Sequence, residues 1–168
     1  DVKFEKKPNI DGDFHPYIRD NKTLSRPWAI PGTPGLEHRL GGIEKEENTG
    51  HVNYDPDNHH RMTELRQEKI KRVRDSIGKT IIYGDADGEL LILGWGGTFG
   101  ACRSSAETLI EEGYKVSHVQ LRWINPFPRD LGEILIQFKN ILIPEINMGQ
   151  LIKLIRSEFL VDAIGLNL

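Results

Sequence analysis

From residue 80 to residue 168 the chain repeats one pattern: a short apolar run, a stretch with helical spacing, then another apolar run. Segments 116–121, 140–145 and 161–166 read as strands. Between them lie predicted helices over about 98–112 and 149–159, and one opening at Asp130 with Leu131, Ile134, Leu135 and Phe138 on its apolar side. Repeated strand–helix–strand units need crossover connections, which build a mostly parallel sheet with helices on both faces. Segments 80–83 and 89–93 flank Gly84-Asp85-Ala86-Asp87-Gly88, a turn that predicts a hairpin and one antiparallel strand. The expected class is α/β: a three-layer α/β/α domain with a mixed, mostly parallel five-stranded sheet.

Core-forming residues are unevenly spread. Residues 1–79 hold 20 hydrophobic side chains and residues 80–168 hold 43. The first part is nearly neutral, with 15 basic and 14 acidic residues; the second has 7 against 11. So little apolar material cannot fold alone, which makes the first part an appendage that packs on other structure. The predicted organisation is an irregular proline- and glycine-rich arm over 1–54, a connecting helix over 55–79, and the sheet domain over 80–168. In the arm, prolines remove backbone donors and glycines admit positive φ, so neither a long helix nor a central strand fits. Trp28, Ile30, Leu36 and Leu40 are its apolar anchors and suit a docked loop, although a solvated linker has similar composition. The helix starts at Asp55-Pro56, a cap followed by proline at the first helical position, with Gly78 as its stop. Met62, Leu65, Ile70, Val73 and Ile77 mark its apolar side.

A formal net charge of -3 gives no electrostatic case for nucleic acid or an anionic membrane. No apolar run approaches a membrane span and no signal-peptide layout is present, so the expected location is cytoplasmic. The single cysteine excludes a disulfide framework, a multi-cysteine zinc site and an iron–sulfur cluster held by this chain alone. A start without Met and an apolar end predict a piece of a longer protein.

Several local patterns carry chemistry elsewhere. Gly94-Trp95-Gly96-Gly97-Thr98-Phe99-Gly100 joins a strand to a helix and resembles a phosphate-binding turn. Phe99 stands where the dinucleotide fingerprint needs its third glycine, and no acidic residue ends the next strand, so a tight turn is the better reading. His38, His51, His59 and His60 crowd one polar stretch with Asp55 and Asp57, but at no zinc spacing. Asp85-Ala86-Asp87-Gly88 puts its glycine two positions too early for a calcium loop. Cys102 falls near a helix start, where a thiol can be activated, and also on the inferred buried face, where a small core residue belongs. Loops after strands face ligands in open sheets of this type. Arg122 and Asn125 after one strand, Glu145 and Asn147 after the next, and His38 in the arm are therefore the candidate contact residues. No catalytic, cofactor-binding or metal-ligating residue is predicted.

Longer motifs then give a family resemblance. They are Arg26-Pro27-Trp28-Ala29-Ile30-Pro31-Gly32-Thr33-Pro34-Gly35-Leu36-Glu37-His38-Arg39, Gly41-Gly42-Ile43-Glu44, and Tyr54-Asp55-Pro56-Asp57-Asn58-His59. In the same order follow Leu93-Gly94-Trp95-Gly96-Gly97-Thr98-Phe99-Gly100, Asn125-Pro126-Phe127-Pro128 and Glu145-Ile146-Asn147-Met148-Gly149-Gln150-Leu151. Together the chain resembles the alpha subunit of 2-oxoacid:ferredoxin oxidoreductases, most closely the 2-oxoglutarate type.

The resemblance implies an enzyme that decarboxylates a 2-oxoacid on thiamine diphosphate and Mg, passes electrons through an iron–sulfur cluster to ferredoxin, and transfers the acyl group to coenzyme A. It implies that residues 80–168 are similar to the C-terminal domain of transketolase, whose first strand is antiparallel. It also implies partners: other domains of the same subunit and a thiamine-binding beta subunit. Thiamine sites of this kind begin Gly-Asp-Gly and use a later asparagine. Here Gly84-Asp85-Ala86 breaks the triplet, and Tyr114 stands near the asparagine's place. The expectation is a non-catalytic assembly segment that binds none of these cofactors itself. The competing readings are a free-standing nucleotide- or acyl-carrier-binding module and a transketolase-like subunit acting on sugars.

Overall fold

Asp55 and Pro56 begin the first helix in the way their chemistry dictates. The Asp55 carboxylate accepts the backbone N–H groups of Asp57 at 2.9 Å and Asn58 at 3.1 Å, while Pro56 occupies the first turn, where an N–H is not needed. In this computed structural model, which describes residues 3–168, the chain divides into two units, Asp1–Val73 and Arg74–Leu168.

The first unit pairs two short parallel strands, β1 (Phe4–Glu5) and β2 (Trp28–Ala29), and ends in α1 (Pro56–Val73). Its apolar interior is small: Phe14, Leu24, Leu36 and Met62 are buried. Polar ties hold the helix to the irregular chain before it. Arg61 pairs with Glu47, Asn58 donates to the Lys45 carbonyl at 3.0 Å, and Arg72 donates to the carbonyls of Asn21 and Lys22 at 2.8 and 3.1 Å. Of the expected arm anchors only Leu36 is buried; Trp28, Ile30 and Leu40 are exposed. The helix stops at Val73, short of Gly78, because Arg74–Ser76 tighten into a 3-10 turn. Asp75 and Ser76 are weak helix formers that favour such turns.

The second unit is a five-stranded mixed sheet in the order β3-β5-β4-β6-β7, flanked by helices. Its elements are β3 (Ile82–Tyr83), β4 (Gly88–Trp95), α2 (Phe99–Glu111), β5 (Val116–Leu121), α3 (Leu131–Leu135), β6 (Phe138–Glu145), α4 (Leu151–Phe159) and β7 (Ile164–Asn167). The four long-range neighbours β5, β4, β6 and β7 run parallel, and β3 is antiparallel to β5. An antiparallel strand was expected here, but as a hairpin with β4; instead Ile82 pairs with Val119 and Tyr83 with His118. Gly84 causes the difference. It turns at φ +98°, and a Cβ added there would meet Ser117 Oγ at 2.7 Å and the Val116 carbonyl at 2.9 Å. The loop thus passes close over the start of β5, anchored by Ser117 Oγ donating to the Asp85 carbonyl at 2.8 Å, before reaching β4 beyond it.

Alternation along β4 builds two cores. Leu91 and Leu93 face α3 and α4, packing with Leu131, Leu135, Leu151 and Ile155. Ile92 faces α2 and meets Cys102 and Ala106. Each fully buried leucine contributes about 2 kcal/mol, so the sheet's central strands carry most of the unit's stability. Phe138 joins the first core as the opening residue of β6, not as the last turn of α3, which ends at Leu135. A residue seven positions after Leu131 meets the same core from either conformation, so its spacing could not separate them.

Candidate functional site

The carboxyl ends of β4 and β5, the start of α2 and the segments before β3 and after β5 enclose a cavity of about 890 Å³. Its floor is the α2-facing side of β5. Val116, His118 and Gln120 share that side, so the strand presents two polar residues toward the cavity. Gly94 opposite them has no room for a side chain: a Cβ would meet Gln120 Oε1 at 2.5 Å and both Cys102 Sγ and Thr98 Oγ1 at 3.2 Å.

His118 is 2% exposed and lies 5.9 Å from the Phe99 ring, centroid to centroid. Burial holds its imidazole below the ordinary value, with the nearby Arg103 charge adding to this against an opposing pull from Gln120. The net effect favours the uncharged ring. Arg103 stacks on Tyr83, its guanidinium carbon 3.1 Å from the ring centroid, and pairs with Glu107 at 2.8 Å. Gln120 Nε2 donates to the Gly96 carbonyl at 3.1 Å, which ties β5 to the glycine turn.

The sequence candidates are scattered among different settings. Arg122 lines this cavity, is exposed, and has no carboxylate partner among the described residues. Asn125 is exposed and lies outside the lining. Glu145 ends β6 with 1% exposure and accepts four hydrogen bonds: Leu151 N at 2.8 Å, and Ile152 N, Trp95 Nε1 and Asn147 Nδ2 each at 3.2 Å. Burial pushes this carboxyl up, but the four donors outweigh it and hold it below the usual range. Asn147 Oδ1 in turn accepts Gly149 N at 2.8 Å and Gln150 N at 3.0 Å. These two side chains shape the entry to α4. Cys102 is a core residue at 3% exposure, its thiol pushed up by burial.

His38 stands in the first unit, beside a second cavity of about 760 Å³ that His15, His51, Asp13 and Glu37 also line. Its Nδ1 lies 2.8 Å from the Leu36 carbonyl, and its ring packs edge-on to Phe14. Among the described residues no group of three His, Cys, Asp or Glu converges closely enough to hold a metal ion. Sequence reasoning did not single out His118, Gln120 or Arg103. The available signal was the polar pair two apart, His118 and Gln120, on the side of the strand that also carries Val116.

Comparisons with known proteins agree with this architecture. The family described as pyruvate:ferredoxin oxidoreductase core domain II matches residues 88–163. The 2-oxoglutarate oxidoreductase subunit KorA of Mycobacterium tuberculosis is 45% identical over 152 residues, covering 89% of this chain and 23% of that protein. The alpha subunit of 2-oxoacid:ferredoxin oxidoreductase 1 from Aeropyrum pernix is 29% identical over 154 residues, 88% of this chain and 24% of that protein. Among solved structures, a 2-oxoglutarate:ferredoxin oxidoreductase from Magnetococcus marinus, with 2-oxoglutarate, coenzyme A and succinyl-CoA bound, superposes with a TM-score of 0.83 at 30% identity. The match covers 97% of this chain and 29% of that one. The chain thus spans about a quarter of the length of these curated relatives.

Proposed function

Because the chain belongs to the alpha-subunit family of 2-oxoacid:ferredoxin oxidoreductases, of the 2-oxoglutarate type, we propose that it is a non-catalytic assembly segment of such an enzyme. The complete enzyme would oxidatively decarboxylate 2-oxoglutarate to the acyl-CoA and reduce ferredoxin in the cytoplasm. Thiamine diphosphate with Mg, an iron–sulfur cluster and coenzyme A would be supplied or bound by other domains of the subunit and by a thiamine-binding beta subunit. Among the described residues no helix is long and apolar enough to cross a membrane.

The residues present do not fit the two resident groups. One buried thiol cannot hold an iron–sulfur cluster. The Gly84-Asp85-Ala86 turn faces β5 and solvent, and among the described residues no carboxylate set converges beside it to hold the magnesium of a diphosphate.

The observation that carries the assembly role is an uncovered apolar strip on the sheet. Gly165 of β7 faces α4, where an added Cβ would meet Ile152 Cδ1 at 3.1 Å, so Ile164 and Leu166 point to the opposite face. In register beside them stand Leu142 and Pro144 of β6. On this face α2 packs on β4 and β5, leaving β6 and β7 open. Ile164, Leu166 and Leu168 are all exposed, next to a strand edge with no further partner among the described residues. A contiguous apolar strip beside an open edge is a surface that another protein element covers.

Calorimetric titration of the chain with thiamine diphosphate and Mg tests the non-catalytic part of the proposal. No binding heat is expected. Saturable binding in the micromolar range would overturn it.

A further inference from the structure

The lining of the cavity beside β5 contains two buried polar atoms, His118 Nε2 and Gln120 Oε1, for which the fold offers no partner beyond the contact of these two side chains with each other. A buried polar atom with unmet bonding capacity has lost its hydration without full replacement, and native folds satisfy nearly all such atoms. Both belong to residues on one strand face that line one cavity, and they keep bonding capacity that a polar group entering it would use.

The remaining walls define that group's chemistry. The second unit carries nine Lys and Arg against twelve Asp and Glu, yet the cavity is lined by Lys79, Arg103 and Arg122 and by no carboxylate. Lys79 and Arg122 have no acidic partner among the described residues, so their charge is available. The start of α2 supplies a further positive end through Gly96 and Phe99. Tyr83, Trp95, Phe99 and Trp123 add ring faces, and the volume suits a small organic molecule.

We infer that this cavity binds a small ring-bearing organic anion, with its carboxylate or phosphate toward Lys79 and Arg122, its ring among the aromatic walls, and His118 and Gln120 bonding one of its polar atoms. Selectivity rests on both parts: the cations discriminate against neutral rings, and the aromatic walls discriminate against bare inorganic anions. The site lies at the β3–β5 edge of the sheet. The uncovered strip lies at the β7 edge, so this inference and the assembly proposal fail independently.

The experiment is an NMR titration of the full chain, following the His118 imidazole and the Trp95 and Trp123 indole signals. The probes are benzoate, phenyl phosphate, inorganic phosphate and benzyl alcohol. Saturable shifts with benzoate or phenyl phosphate, and weaker ones with inorganic phosphate and benzyl alcohol, are expected; which anion binds tighter separates carboxylate from phosphate recognition. Arg122→Gln and Lys79→Gln, both at exposed positions, should each weaken binding about tenfold, as losing one charged hydrogen bond does. His118 signals unmoved by either ring-bearing anion would overturn the inference and leave the two atoms bonded to each other or to water. Unchanged affinity in both variants would overturn it as well.

Discussion

Glu145 shows how far a single side chain can differ from its appearance in sequence. It follows a strand, where a ligand contact is a fair expectation, yet its two oxygens are occupied by the first amides of α4, the Trp95 indole and Asn147. The indole comes from 50 positions away, a neighbour that no local pattern reveals. Removing the carboxylate strands four donors in a site with 1% exposure, so Glu145→Ala should lose about 3 kcal/mol in denaturant unfolding. The folded carboxyl titrates below the unfolded one. Its stabilisation is therefore complete above the ordinary glutamate value near ~4.3 and disappears as pH falls through the lowered folded value. Glu145→Gln should flatten that acid limb; an unchanged slope would assign the acid sensitivity to other groups. Cys102 was more legible, because helical spacing alone put it on the buried side, where it is found.

At the scale of elements, periodicity was a good guide wherever one face of a strand or helix is buried. The parallel strands and the three helices of the second unit fall close to their expected places, since burial of alternate or every-third-and-fourth side chains is what produced the pattern. Pairing was less legible. A two-residue strand such as β3 carries no information about its partner, and the choice of β5 over β4 depends on the path of the Gly84 turn. Gly84→Ala should cost about 2 kcal/mol or more, since both positive φ and close contact with β5 oppose a side chain. Amide exchange should quicken at Ile82 and Tyr83 while β6 stays protected. Equal protection of β3 in the variant would show that the turn does not set the pairing. In the arm, apolarity alone did not tell which anchors this chain buries itself: Leu36 is buried, while Trp28, Ile30 and Leu40 are exposed.

For the whole molecule, the apolar residues are divided unevenly between the two halves, and the buried interior of the first unit is correspondingly small. Family membership rests on motifs spread over both units, whereas the cavity and the uncovered strip needed the fold, because residues far apart in sequence come together to create them. We propose that this segment joins a larger oxidoreductase through the surface it leaves open. The most direct measurement is sedimentation of the complete alpha subunit with its thiamine-binding partner, comparing the parent with Leu166→Asp. That side chain is already exposed in the segment, so the isolated chain should melt unchanged. In the complete protein the variant should weaken association at least about tenfold, or about 1.4 kcal/mol, or loosen the alpha subunit itself as a lowered melting temperature. Parent-like association together with parent-like melting of the complete alpha subunit would contradict the account.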